Sequence, residues 1–81
     1  MKREEILEKL CKLFHEVSGN GTIQLQEADT AEDVEGWDSL THVQLVVAIQ
    51  QEFGITVSAR EMQSWRCVGE ILDSIQAKIN G

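Results

Sequence analysis

The sequence predicts an all-α fold, a small bundle of three main helices plus one short helix. Apolar residues recur at spacings of three and four in three separate segments, which is the period of an amphipathic helix. No stretch alternates apolar and polar residues for long enough to form a strand. At 81 residues, the chain is expected to be a single domain over positions 1–81 with a small core.

The first helix is predicted over residues 3–17, followed by a long loop over residues 22–36. The apolar stripe of the helix consists of Ile6, Leu10, Leu13, Phe14 and Val17. Glycines directly after this stripe predict its end, because glycine readily adopts the left-handed backbone angles of a helix C-cap. Loops of such length often carry function in small domains. Three apolar residues are expected to attach this loop to the core, namely Ile23, Leu25 and Val34.

The second helix is predicted over Ser39–Phe53, with Asp38 as its N-cap and Gly54 after its end. At about 100° per residue, one apolar stripe suited to the core consists of Leu45, Val46, Ile49 and Phe53. A second stripe begins directly after Ser39 and consists of Leu40, Val43 and Val47. A helix with two such stripes either lies deep in the bundle or keeps one exposed for a partner. The sequence leaves both arrangements open.

The last third of the chain predicts one short helix and one longer helix. Ser58 followed by Glu61 is a capping-box pattern, which favours a brief helix from Ala59 to about Ser64. The fourth helix is predicted over residues 68–79. Its apolar stripe consists of Val68, Ile71, Leu72, Ile75 and Ile79.

The two cysteines and the N-terminal segment indicate the compartment. Cys11 and Cys67 lie in helical apolar patterns and belong to no CxxC pair or histidine-containing cluster, so we expect reduced, mostly buried thiols rather than a zinc site. The N-terminus carries charges where a signal peptide needs an apolar run, and 18 apolar residues never follow one another. We therefore expect a cytoplasmic protein that makes no contact with a membrane.

The negative charge of the chain is concentrated in one region. The net charge is −7, and no lysine or arginine lies between positions 13 and 59, where eight acidic residues occur. Such a region repels the phosphates of a nucleic acid, so a nucleic-acid partner is not expected. It attracts basic protein surfaces, although a solvated acidic face is the simpler interpretation of any such run.

Ser39 lies within this acidic region and is its candidate for a chemical role. Catalysis by a serine needs a base and an oxyanion site, yet the chain has only His15 and His42, no GxSxG motif and little room for a pocket. The direction of His42 matches the core stripe, which favours a structural role. From these observations alone, Ser39 is a helix cap or a surface serine, and the protein is not a hydrolase.

The residues around Ser39 add a family resemblance. The segment "GWDSLTHVQLVVAIQQEFGI" resembles the acyl carrier proteins, whose signature is Asp-Ser-Leu at the start of the second helix. The likeness continues to "VGEIL" in the fourth helix and covers essentially the whole chain. It implies an acyl-carrier-like bundle that catalyses nothing. It also implies that Ser39 carries 4′-phosphopantetheine through a phosphodiester, with acyl groups held on the terminal thiol as thioesters.

The resemblance further implies a set of partners and a surface that meets them. A phosphopantetheinyl transferase modifies the serine, and acyl-loading and acyl-processing enzymes dock through basic surfaces. The residues expected to take part in docking are Asp33, Glu35, Asp38, Leu40, Val43 and Val47. Trp37 and Trp65 are expected to pack within the protein rather than meet a partner. We expect a monomer.

The second helix departs from the best-known members of the family, in which it is crowded with glutamates. Here Thr41, Gln44, Gln50 and Gln51 are neutral, and the acidity lies in the preceding loop. This favours a dedicated carrier in a specialised fatty acid, polyketide or related pathway. Two alternatives stay open, an aminoacyl or peptidyl carrier and a helical docking module without a prosthetic group. Calcium binding by the acidic loop is disfavoured because Asp29 and Asp33 lack EF-hand spacing.

Overall fold

A computed structural model of the chain describes residues 2–19, 21, 23–34 and 36–80. Four helices follow one another: α1 (Arg3–Ser18), α2 (Ser39–Phe53), α3 (Ala59–Ser64) and α4 (Val68–Asn80). The described residues contain no β-strand, so the predicted all-α class is confirmed. The bounds of α2 and α3 agree with the prediction. α1 and α4 each extend one residue further than the apolar pattern indicated.

The helices begin and end next to capping residues that the sequence provides. Gly19 follows α1 with φ 73°, and its N–H donates to the carbonyl of His15 at 2.9 Å. Ser58 is the N-cap of α3, and its Oγ accepts the N–H of Glu61 at 3.2 Å. The Glu61 carboxylate contacts the Ser58 hydroxyl at 3.4 Å and also pairs with Lys78 of α4 at 3.0 Å. The capping box therefore also connects α3 to α4.

The hydrophobic core lies between α1, α2 and α4. α1 contributes Ile6, Leu10, Leu13 and Phe14. α4 contributes Val68, Ile71, Leu72 and Ile75, all fully buried. The long connection between α1 and α2 adds Leu25, Val34 and Trp37. Both cysteines are free and half-buried. The apolar residues that the sequence pattern assigned to the loop thus do reach the core.

The backbone of this connection is bonded to the start of α4. The N–H of Val68 donates to the carbonyl of Asp29, and the N–H of Gly69 donates to that of Glu27, each at 2.9 Å. The first N–H groups of any helix lack partners within the helix, so here the loop satisfies two of them. A Cβ atom at position 69 would lie 3.2 Å from the Glu27 carbonyl oxygen, tighter than an ordinary contact. Glycine therefore allows the close approach.

The side chain of Arg3 reinforces the same junction from α1. Its Nε donates to Glu27 Oε1 at 2.8 Å, and its Nη1 donates to Asp73 Oδ1 and Gln76 Oε1, each at 2.7 Å. Its Nη2 donates to the carbonyl of Gly69 at 3.0 Å. The hydrogen bond from Arg3 holds the pKa of Glu27 below its ordinary value. One guanidinium group thus joins α1, the long connection and α4.

α2 keeps its two apolar stripes in different environments. Leu45 and Ile49 are fully buried and Val46 nearly so, whereas Phe53 is half-buried at the edge of the core. The second stripe is exposed: Leu40 by 67%, Val43 by 48% and Val47 by 46%. Of the two arrangements that the sequence left open, the structure therefore has the exposed stripe.

We expect Ile49→Ala to lower the free energy of unfolding by about 2–5 kcal/mol, because it leaves a cavity in the core. Val47→Ala, two residues earlier on the exposed side, should change it by no more than about 0.5 kcal/mol. Urea unfolding of both variants measures the difference. Equal losses would mean that the second stripe is also part of the core.

Candidate functional site

Ser39 is the first residue of α2, and its side chain is exposed. Its hydroxyl makes no hydrogen bond to any residue that the structure describes. By contrast, the hydroxyls of Ser58, Ser64 and Ser74 each take part in a hydrogen bond within the protein. Ser39 therefore offers a free hydroxyl that a second molecule can reach.

Asp38 determines where α2 begins. Its backbone is extended, its Oδ1 accepts the N–H of Thr41 at 2.8 Å, and its carbonyl accepts the N–H of His42 at 2.9 Å. The hydrogen bond from the backbone of Thr41 lowers the pKa of Asp38. Gly36, with φ 86°, turns the chain two residues before this cap. The cap leaves Ser39 at the very tip of the helix.

The rings of Trp37 and His42, on either side of Ser39 in the sequence, are joined by a hydrogen bond. Trp37 Nε1 donates to His42 Nδ1 at 3.1 Å, and the two rings stack with centroids 6.0 Å apart. His42 Nε2 then donates to the carbonyl of Met62 in α3 at 3.0 Å. Trp65 packs its edge against the same imidazole. These contacts agree with the structural roles expected for the three rings, and they connect α2 to α3.

A groove of about 520 Å³ opens beside Ser39, between α2 and α3. One side includes Trp37, Ser39 and His42, and the other includes Met62, Trp65 and Arg66. The groove is open to solvent rather than enclosed. It leaves open space next to the serine.

The arrangement does not suit catalysis by Ser39. Both ring nitrogens of His42 are engaged in hydrogen bonds, with Trp37 and Met62. His15 lies on α1 and its Nε2 contacts the carbonyl of Ile23. Within the described part of the chain, no hydrogen bond joins a histidine to Ser39, which a serine nucleophile needs for its activation. What remains at this position is an exposed serine hydroxyl.

Two carboxylates of the acidic loop have a local role that sequence reasoning missed. Asp29 Oδ2 accepts the N–H of Gln26 at 2.8 Å. Asp33 Oδ2 accepts the N–H of Thr30 at 3.2 Å and its hydroxyl at 3.1 Å. A side-chain oxygen that closes a short turn in this way is typical of aspartate in loops, which is the signal that the pattern D-T-x-x-D offers.

The predicted docking residues occupy the exposed side of this region, with one exception. Leu40, Val43 and Val47 form the exposed stripe of α2, and Asp33 and Asp38 are exposed before it. The exception, Glu35, lies outside the described residues. Among the residues that the structure does describe, no cluster of three or more side chains suited to a metal ion occurs.

Comparison with known proteins identifies the family. The family model of the phosphopantetheine attachment site matches residues 8–75 of the chain. This chain belongs to the acyl carrier protein family. Its carrier-protein relatives include the acyl carrier protein of Acidothermus cellulolyticus, which is 33% identical over 75 residues, 93% of this chain and 89% of the relative. That of Thermosynechococcus vestitus is 34% identical over 80 residues and 98% of each chain.

A solved carrier-protein structure has the same fold. The solution NMR structure of the holo acyl carrier protein from Geobacter metallireducens superimposes with a TM-score of 0.83 at 30% sequence identity. The match covers 91% of this chain and 85% of the other. The protein is accordingly a non-catalytic acyl carrier, and its prosthetic group is 4′-phosphopantetheine. Members of the family are modified by a phosphopantetheinyl transferase and interact with acyl-handling enzymes.

None of the helices in the described part of this carrier protein is long and apolar enough to cross a membrane.

We expect Asp38→Ala to lower the melting temperature at pH 7. Asp38→Asn should lower it much less, because asparagine also caps helices. The folded-state pKa of Asp38 is lowered, so its carboxylate stabilises the fold above the pKa of the unfolded chain. That stabilisation disappears as the pH falls through the lowered value. Thermal unfolding between pH 7 and pH 2 should therefore give wild-type and Asp38→Ala curves that converge in acid, whereas Asp38→Asn, which does not titrate, should keep a constant difference from Asp38→Ala. A constant difference between the wild type and Asp38→Ala would contradict the cap.

Proposed function

We propose that Ser39 is the residue to which 4′-phosphopantetheine is attached, through a phosphodiester to its Oγ. The observation that carries this proposal is the exposed hydroxyl without a hydrogen bond to any described residue, at the first position of α2. When bound, the group supplies a terminal thiol on which acyl groups are held as thioesters. Ser39 contributes the attachment point, and α2 fixes its position.

The local electrostatics support attachment at this position. Ser39 lies at the N-terminus of α2, where the helix dipole favours the negative charge of a phosphate. The Asp38 carboxylate is turned toward the N–H of Thr41, with which it forms the cap. The groove between α2 and α3 gives the attached group a path along the surface. The residues present therefore fit the prosthetic group of the family.

We also propose a docking face around Ser39, consisting of Asp33, Glu35, Asp38, Leu40, Val43 and Val47. The apolar stripe of α2 is exposed, and exposed stripes on small proteins tend to mark interaction sites. The acidic residues before it would steer basic rims of the transferase and of acyl-handling enzymes in a salt-sensitive manner. The turns closed by Asp33 and Asp38 keep their carboxylates at defined positions.

The distribution of charge supports a specialised role. The first turn of α2 contains no acidic residue, and the acidity lies in the loop before it. Partners that bind an acidic second helix would find here a helix whose one acidic residue, Glu52, lies in its last turn. We therefore propose a carrier dedicated to a specialised fatty acid, polyketide or related pathway. The two free cysteines fit a reducing cytoplasm, in which we propose that the carrier acts as a monomer.

Incubation of the protein with coenzyme A and a broad-specificity transferase should add the mass of one phosphopantetheinyl group. Ser39→Ala should add none, because the accepting hydroxyl is gone. Ser64→Ala is the matched control: it also removes an exposed serine hydroxyl, one already bonded to Glu61, and should load like the wild type. Mass spectrometry of the intact proteins measures the result. Loading of Ser39→Ala would move the attachment site elsewhere.

We expect Leu40→Ser to raise the KM for the chain as a substrate of its transferase about fivefold, corresponding to about 1 kcal/mol of binding. The fold should not change, because Leu40 is exposed by 67%. Ala77→Ser places the same residue at an exposed position of α4 and should leave KM unaltered. Steady-state kinetics test the pair. An unaltered KM for Leu40→Ser would exclude the stripe of α2 from docking to this enzyme.

A further inference from the structure

The groove beside Ser39 has a floor whose polar atoms are already paired. The indole N–H of Trp37 donates to His42, and that of Trp65 donates to Ser74 Oγ at 2.8 Å. The other ring nitrogen of His42 donates to the carbonyl of Met62. The floor therefore offers aromatic surface to an occupant, but no free hydrogen-bond donor.

The cation among the residues that line the groove is Arg66. Arg66 lines it together with Ser39, and its guanidinium is exposed and makes no hydrogen bond or ion pair with a described residue. Its backbone is held in place, because its N–H donates to Glu70 Oε2 at 2.8 Å. By contrast, Arg3, Lys9 and Lys78 each form an ion pair.

Arg66 shares the groove with a serine whose surroundings in the sequence are acidic. Ser39 lies in the interval from 13 to 59, which contains eight acidic residues and no lysine or arginine. A phosphate on Ser39 would therefore add negative charge next to the Asp38 carboxylate. A guanidinium group on the opposite side of the groove offsets this charge and binds phosphate oxygens with two parallel hydrogen bonds.

We infer that Arg66 binds the phosphate of the prosthetic group on Ser39 and thereby directs the group along the groove, over Trp65. The inference rests on the proposed attachment at Ser39. It assigns Arg66 as a positioning residue: the guanidinium holds the anionic end, and the aromatic floor packs against the apolar part that follows. The groove then keeps the group at the surface between α2 and α3 when no enzyme is bound.

The two tryptophans of the chain report on the groove, because both line it and both have a bonded indole N–H. We would record their indole N–H signals by NMR in 15N-labelled apo and loaded protein, with loading verified by mass. In the wild type, loading should shift the Trp65 signal and, less strongly, that of Trp37. At about 1 M salt, where the screening length falls to about 3 Å, the shift should largely disappear.

Arg66→Gln should abolish most of the shift on loading, and Arg66→Lys should retain part of it. Arg60→Gln is the matched control, since Arg60 is an exposed arginine of α3 that does not line the groove, and it should behave like the wild type. If the transferase does not load Arg66→Gln, the role of Arg66 is tested by the salt dependence of the indole shift in the wild type and in Arg66→Lys.

The outcomes separate this inference from the proposed function. A mass gain without an indole shift, or with the same shift in wild type and Arg66→Gln, would overturn the role of Arg66 and leave attachment at Ser39 intact. A shift that arises only after acylation would assign the groove to the cargo instead and would also overturn it. Absence of a mass gain in the wild type would overturn both proposals.

Discussion

The connection between α1 and α2 depends on its attachment to the start of α4. It carries the chain from the end of α1 to the cap of α2, and its described residues form turns but no helix or strand. Two backbone hydrogen bonds to Val68 and Gly69 and the guanidinium of Arg3 hold its middle in place. Leu25 and Val34 can then enter the core, and Trp37 can pack against Phe14. The position of Ser39 follows from this arrangement, because the cap of α2 comes directly after Trp37.

Most of the helices could be predicted because their determinants are local. The apolar period of α1 and α4, the glycines at positions 19 and 54 and the Asp38 cap act within a few residues, and each produced the expected element. The exposed stripe of α2 was less certain from the sequence. Whether Val43 and Val47 are covered depends on how α3 lies against α2, and a periodicity of one segment contains no information about its neighbours.

The contacts that shape the candidate site could not be predicted because they join distant residues. His42 bonds to a carbonyl 20 positions away, Arg3 reaches residues of α4, and Trp65 donates to Ser74. The sequence indicated buried rings and a solvated acidic loop but no partner for any of them. The location of Ser39 at a helix start was predictable from "DSL" together with its cap. Its neighbour across the groove, Arg66, was recognisable only as a positive charge near the third helix.

The imidazole of His42 has a mechanical consequence for the tip of this carrier. Its Nδ1 accepts a hydrogen bond from Trp37, in the connection that precedes α2, and its Nε2 donates one to α3. A single planar ring therefore fixes the distance between these two segments. A visiting enzyme that displaces either segment must strain or break one of these bonds. While both bonds hold, movement of either segment is therefore transmitted to the other through the His42 ring.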